Sequence, residues 1–142
     1  MEDRKFVDIS YIVEKQYRKF QNWVDLVTVH ANVNPDVIQK LSCVLLVSDM
    51  SNNSYYYWKE TLALVEKYPS HIIGFITQNR YELEGFYNMT PGVRIEKTSS
   101  DEGDQKWRDP SKIDTDIMIV GRGIYQDPHP EEAAERYVKC VV

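Results

Sequence analysis

The sequence predicts an α/β fold in which a parallel sheet is covered by helices, and three observations predict it. Short continuous apolar runs, Cys43–Val47 and His71–Thr77, mark strands buried on both faces. Between them lie segments whose apolar residues recur at helical spacing, so strands and helices alternate. The 142 residues, 42% hydrophobic and 27% charged, suit one domain over residues 1–142, and no stretch reads as a domain linker.

The elements follow in order. Ile9, Ile12, Val13, Tyr17 and Phe20 give a helix over residues 9–22. Val24–Val29 is rich in β-branched residues and reads as a strand. Asn32-Val33-Asn34-Pro35 is a turn, with Pro35 at the first position of a short helix to Leu41. After the strand at Cys43–Val47 comes a helix over residues 54–68, with Tyr55, Trp58, Leu62 and Val65 on one face. The strand His71–Thr77 leads to a short helix through Leu83, and Phe86–Thr90 is a brief strand stopped by Pro91-Gly92. Residues 93–106 are polar and read as a mobile loop. Asp116–Val120 is a strand ending in Gly121-Arg122-Gly123. Pro130, followed by Glu131 and Glu132, opens a last helix to Cys140.

Composition narrows the function classes. No apolar run approaches the roughly 20 residues of a membrane span, and Met1–Lys5 lacks the apolar core of a secretory signal. A cytoplasmic location is therefore expected. Two cysteines make no disulfide framework, and Cys43, opening an apolar strand, is expected to be a buried thiol in a reducing compartment. A net charge of −5 argues against a general nucleic-acid binder, while leaving room for a local anion site. His30, His71 and His129, with Cys43 and Cys140, lack the short paired spacings of a zinc site, so no metal is expected. His30, at a strand end, reads as a hydrogen-bonded structural histidine or as a group lining a site. The run Tyr55–Trp58 is expected to lie mostly on the buried face of its helix, with part of it exposed to a partner.

Several strings resemble one family, in order along the chain. Asp3-Arg4-Lys5-Phe6-Val7-Asp8 is similar to the D-x-K-x-x-D motif of orotidine 5′-phosphate decarboxylases. Asp25–His30, Asp49-Met50-Ser51, Gly74-Phe75-Ile76, Met89–Val93, Gly103-Asp104-Gln105 and Val120–Gly123 follow as in that family. The resemblance implies an incomplete (β/α)8 TIM barrel that begins at the end of the third strand and lacks the first two βα units. Those units supply a ribose-holding Asp and the first Lys of a charge network, and nothing in this sequence matches either. It also implies cofactor-free decarboxylation of orotidine 5′-phosphate to uridine 5′-phosphate, with Asp3, Lys5 and Asp8 catalytic. Asp3 and Lys5, two apart, share one face of a strand; on spacing alone they read rather as a solvated charge cluster.

The same resemblance places Ser51 and Pro91 against the pyrimidine, and Gln105 and Arg122, flanked by Gly121 and Gly123, on the phosphate. Barrel enzymes often grip phosphate with the loops after strands seven and eight, and Arg offers a fixed fork of donors. Without the resemblance, Ser51 is a lone serine after a strand, Pro91 a loop corner and Arg122 a surface arginine in a glycine turn. The pattern also departs from the family's. Ile12 stands where a ribose-contacting Thr is usual, Asp49 replaces a Glu and Asn52 a Ser. Six or fewer strands cannot close such a barrel, so edges near residues 2–6 and 116–120 are expected to be covered by a second copy or a partner chain. The alternative is a catalytically inactive relative that binds nucleotide or serves a structural role.

Overall fold

The computed structural model describes residues 9–51, 56–95 and 106–141. Its elements are α1 (Ser10–Tyr17), β1 (Val27–His30), α2 (Pro35–Ile38), β2 (Val44–Val47), α3 (Trp58–Lys67), β3 (Ile72–Ile76), β4 (Tyr87–Pro91), β5 (Ile117–Ile119), α4 (Arg122–Tyr125) and α5 (Pro130–Val141). The five strands form one sheet in sequence order, and every pairing is parallel. Helices pack on it as the alternation predicts. The expected strand near residues 2–6 lies outside the described residues.

The two faces of the sheet carry different loads. Val27, Val29, Val44, Leu46, Ile72 and Phe75 face the helices, where they meet Val13 and Tyr17 of α1, Val37 and Ile38 of α2 and Leu64 of α3. Leu45, Val47, Ile76 and Met89 form a smaller cluster on the other, inner face. Alternation along β2 sets this division. On β3 the alternation slips, because Val44 pairs with Ile72 while Leu45 pairs with Gly74, which leaves Ile73 as the extra residue of a bulge. Gly74 is required there. A Cβ on it would sit 2.2 Å from the Tyr87 carbonyl oxygen of β4.

Several expected boundaries move, for physical reasons. Helix α1 stops at Tyr17, and the chain tightens into turns in which Lys19 and Phe20 donate their N–H groups three residues back, to Gln16 and Tyr17. Strand β1 starts at Val27 because pairing with Val44 starts there. Cys43 is not a buried strand residue. It is exposed and sits at φ +52° just before β2, its carbonyl accepting the Val27 N–H. The aromatic run does not form a buried helix face either. Tyr55 lies outside the described residues, Tyr56 is exposed, Tyr57 precedes α3 and donates its N–H to Ser48, and Trp58 stacks on Tyr81 at 5.1 Å. The most deeply buried residues of α3 are Thr61 and Leu64, while Leu62 and Val65 of the expected face pack partly buried against the same core.

The short helix expected before Leu83 is absent; β3 and β4 are joined by an irregular segment. Buried Asn88 takes its backbone groups: the Asn88 side chain accepts the Tyr81 N–H at 2.8 Å and donates to the Tyr81 carbonyl at 3.2 Å. The Tyr81 ring is buried against Phe75, and its hydroxyl shares a short hydrogen bond with Ser48, to which Thr61 also donates. At the amino ends of β4 and β5, Arg80 binds Asp114 at 2.8 Å and Asp116 at 2.7 Å, while the other Asp116 oxygen accepts the Asn88 N–H at 2.7 Å.

These bonds hold the Asp116 carboxyl below the ordinary range, first through the Asn88 N–H and then through Arg80. A depressed folded-state pKa contributes stability that is fully present above the unfolded value of about 4 and is lost as pH falls through the folded one. Urea unfolding should therefore show Asp116→Asn less stable than the parent at pH 7, with the gap narrowing as pH falls below the ordinary carboxylate range. A gap independent of pH would show that the ionised carboxylate is not what holds this corner.

Candidate functional site

Because the strands run parallel, all their carboxyl ends share one edge of the sheet, the edge where open α/β sheets and barrels bind ligands. Ser51 lies just past β2, Pro91 closes β4, and Gly121–Gly123 follow β5, so three of the predicted binding elements meet there. Pro91 is two residues beyond Met89 and shares its inward-facing register, opposite Ile119. Asp3, Lys5, Asp8 and Gln105 lie outside the described residues. Ile12, at the position where the resemblance implies a ribose contact, is 40% exposed on α1.

One short segment, residues 106–108, ties these elements together. The Lys106 N–H donates to the Ser51 carbonyl at 2.9 Å. The Arg108 N–H donates to the Gly92 carbonyl at 2.9 Å, and the Arg94 N–H to the Arg108 carbonyl at 3.0 Å, a parallel bridge between Val93 and Arg108. Between them, the Trp107 ring carries the Arg122 guanidinium at 4.7 Å and the Arg94 guanidinium at 5.2 Å from its centroid. The turn at Ser51, the end of β4 and the arginine after β5 are thus joined through three consecutive residues.

Behind this strap sits a second layer. Asp49 at the end of β2 is buried, and burial pushes its carboxyl above the ordinary range despite hydrogen bonds from the Gln78 and Met50 N–H groups and the nearby Arg108 charge. The Arg108 guanidinium donates to the Gln78 carbonyl, and the Gln78 side chain donates to the Pro91 carbonyl at 3.1 Å. The ends of β2, β3 and β4 are therefore cross-braced by Asp49, Gln78 and Arg108.

Beside the loop after β5, a cavity of about 270 Å³ is lined by Arg94, Arg122, Gly123, Gln126, Arg136 and Tyr137 among others. Arg136 is ion-paired with Asp127 at 2.5 Å. The two glycines differ in role. Around Gly121, among the described residues, a Cβ would meet only the Tyr125 ring, at 3.7 Å. Around Gly123 the space is taken by the protein itself: a Cβ would lie 2.1 Å from the hydroxyl oxygen of Tyr137, which is buried. That hydroxyl accepts the Ile95 N–H at 3.2 Å. Tyr137 on α5 thereby pins the β4 loop beside the β5 loop.

The sequence reading did not single out Arg94, Trp107, Arg108 or Tyr137 as site groups. One signal was available: an aromatic between Lys106 and Arg108 in a polar stretch is a platform for cations. His30 pairs with Val47 and so lies on the inner face, half-buried, with no side-chain hydrogen bond among the described residues. Among the described residues no three His, Cys, Asp or Glu side chains cluster as a metal site, and no helix is long and apolar enough to cross a membrane. A second cavity, of about 520 Å³, lies by Arg80 and Asp116 at the amino ends of the strands, where barrels carry stability rather than chemistry.

Fold and site together define a protein of the barrel class: part of a (β/α)8 sheet with a cation-bearing rim at its carboxyl edge. The sequence profile of the orotidine 5′-phosphate decarboxylase / HUMPS family matches residues 1–137, and the chain belongs to that family. It is 35% identical to uridine 5′-monophosphate synthase of Bos taurus, over 98% of this chain and 33% of that protein. With orotidine 5′-phosphate decarboxylase of Aureobasidium pullulans it shares 33% identity over 96% of this chain and 58% of the fungal one. The chain thus spans about a third to three-fifths of these relatives. Its fold matches the orotidine 5′-phosphate decarboxylase structure of Pyrococcus horikoshii OT3 with a TM-score of 0.68 at 24% identity, covering 96% of this chain and 71% of that one. The corresponding structure from Methanocaldococcus jannaschii, complexed with the inhibitor BMP, gives 0.67 at 22% identity over 96% of this chain and 70% of that one.

Gly123→Ala should displace the Tyr137 hydroxyl and break its bond to Ile95, lowering stability by about 1–3 kcal/mol. The check is urea unfolding combined with amide exchange. Ile95 exchanging no faster in the variant than in the parent would show that Tyr137 does not depend on the missing Cβ.

Proposed function

We propose that the carboxyl edge of this sheet binds a pyrimidine nucleoside 5′-monophosphate and that the chain serves the decarboxylation of orotidine 5′-phosphate to uridine 5′-phosphate. The observation that carries this reading is the convergence of Ser51, Pro91 and Arg122 on one edge through residues 106–108. In this reading Arg122 and Gln105 grip the phosphate, Gly121 lets it approach the backbone, and Ser51 and Pro91 contact the ring.

The reaction breaks the bond between C6 and the substrate carboxylate and leaves the electron pair on C6, with no cofactor to absorb it. Preorganised charge therefore supplies the catalysis. Asp3, near the substrate carboxylate, is relieved as CO₂ departs. Lys5 stabilises the carbanion and delivers its proton to C6. Asp8 completes the charged lip.

An ultraviolet assay with orotidine 5′-phosphate, run beside a binding titration with uridine 5′-phosphate, tests this. Turnover should fall by about 10³-fold or more in Lys5→Ala, and uridine 5′-phosphate binding should weaken by about 10- to 100-fold in Arg122→Ala. Binding without turnover would make the chain a nucleotide-binding protein. Neither binding nor turnover would overturn the reading.

We further propose that a second copy covers apolar surface left by the α1–β1 unit. Ile9, Tyr11, Trp23 and Leu26 are 63%, 58%, 75% and 45% exposed, which supports an interface there. Light scattering should report twice the chain mass of 16.7 kDa; a stable species at 16.7 kDa would refute the dimer.

A further inference from the structure

We infer that Gln78 is a specificity-determining residue of the ring site, its side-chain oxygen accepting the imide N–H of a 2,4-dioxopyrimidine. This inference deepens the nucleotide-binding reading above and rests on it. Strand β3 leaves the sheet beside β4 at this point. The Thr77 N–H still donates to the Met89 carbonyl at 3.0 Å. The Asn79 N–H, next in line for the Pro91 carbonyl, turns back instead to the Thr77 hydroxyl oxygen at 3.2 Å, and that hydroxyl donates to the Asn79 carbonyl at 2.7 Å. Gln78 Nε2 takes the vacated place and donates to the Pro91 carbonyl at 3.1 Å. The Gln78 main chain is fixed as well: its N–H donates to buried Asp49, and its carbonyl accepts from Arg108.

One polar atom of this side chain is uncommitted. Gln78 is only 8% exposed, yet among the described residues its Oε1 accepts no hydrogen bond. No buried side-chain polar atom among those residues lacks a partner, so Oε1 is not sealed in the core and opens at the carboxyl edge. Its direction is set by chemistry. With Nε2 against a carbonyl oxygen, the reverse orientation of the amide would bring two acceptors face to face. A nearly buried acceptor, locked beside the proline that the reading sets against the ring, selects for a donor and rejects a ring that lacks one. Uracil and orotate offer that donor, the N–H between their two ring carbonyls. Cytosine carries a bare nitrogen there, which would meet Oε1 lone pair to lone pair. The Ser51 hydroxyl both donates and accepts, so it serves either ring and does not tell them apart.

Titration of the full chain with uridine 5′-phosphate and with cytidine 5′-phosphate tests the assignment. The parent should prefer the uridine nucleotide by about 10-fold or more. In Gln78→Met, which removes the acceptor at similar volume, the two Kd values should converge to within about threefold. A second measurement needs no variant: in the parent, the ring imide proton of bound, isotope-labelled uridine 5′-phosphate should show a nuclear Overhauser contact to the Gln78 side-chain amide protons. Equal weakening of both nucleotides in Gln78→Met, with the preference retained, would assign Gln78 to holding Pro91 and overturn its role in specificity. Equal binding of both nucleotides by the parent, or no Overhauser contact, would overturn that role too, and in each of these cases the nucleotide site stands. A parent that binds neither nucleotide overturns the nucleotide reading, and this inference fails with it.

Discussion

The site depends on the backbone pairing of residues 106–108 with two separate strand ends. Ser51 alone is the tail of β2, and Arg122 alone is an arginine in a glycine turn. Lys106 bonds the first, Arg108 bonds the end of β4, and Trp107, held between them, reaches the second. Parallel strands guarantee a common edge but not a common site, because their loops diverge beyond it. The strap converts that edge into a constellation with defined spacing. Its own position is enforced from behind, where Arg108 reaches the Gln78 carbonyl and faces buried Asp49.

The inner face of the sheet follows from a single irregularity. Had β3 kept strict alternation from Ile72, Phe75 would point inward and Ile76 toward the helices. The bulge at Ile73 restores the opposite arrangement, so that Phe75 packs under Tyr81 and Phe86 while Ile76 joins Val47 and Met89. The bulge brings β3 against the Tyr87 carbonyl, where only Gly74 fits. The division of β3 between the two faces of the sheet is therefore written into one glycine and one extra residue.

Much of the fold was legible because burial on both faces leaves a plain signal. Val44–Val47 and Ile72–Ile76 are continuous apolar runs, and α5 announces itself with Pro130 and two glutamates. Other features were not legible, because long-range contacts override local pattern. The segment before Leu83 has helix-forming residues, yet Asn88 captures its backbone. Cys43 reads as the first residue of a strand, yet the chain needs a left-handed turn there to align Val27 with Val44. At the site, Ser51, Pro91 and Arg122 could be marked from family motifs. Arg94 and Tyr137 could not, since their significance lies in what stands across from them. Tyr137 looks like any aromatic on an amphipathic helix until its hydroxyl is seen against Gly123.

The separation of phosphate grip from reacting carbon has an energetic logic on the proposed reading. Interactions with a remote, non-reacting phosphate can hold the ring where charge is needed, and that binding offsets the repulsion built into the charged lip. Such an arrangement works only if the grip is rigid, since a displacement of about 1 Å at the ring costs about two orders of magnitude in rate. On that reading the rigidity comes from contacts within the chain: Tyr137 between two loops, Trp107 under two cations, Asp49 and Arg108 behind the strap. A chain that kept only the contact residues would retain the chemistry's vocabulary without its geometry, and it is the braces that make this edge of the sheet a site.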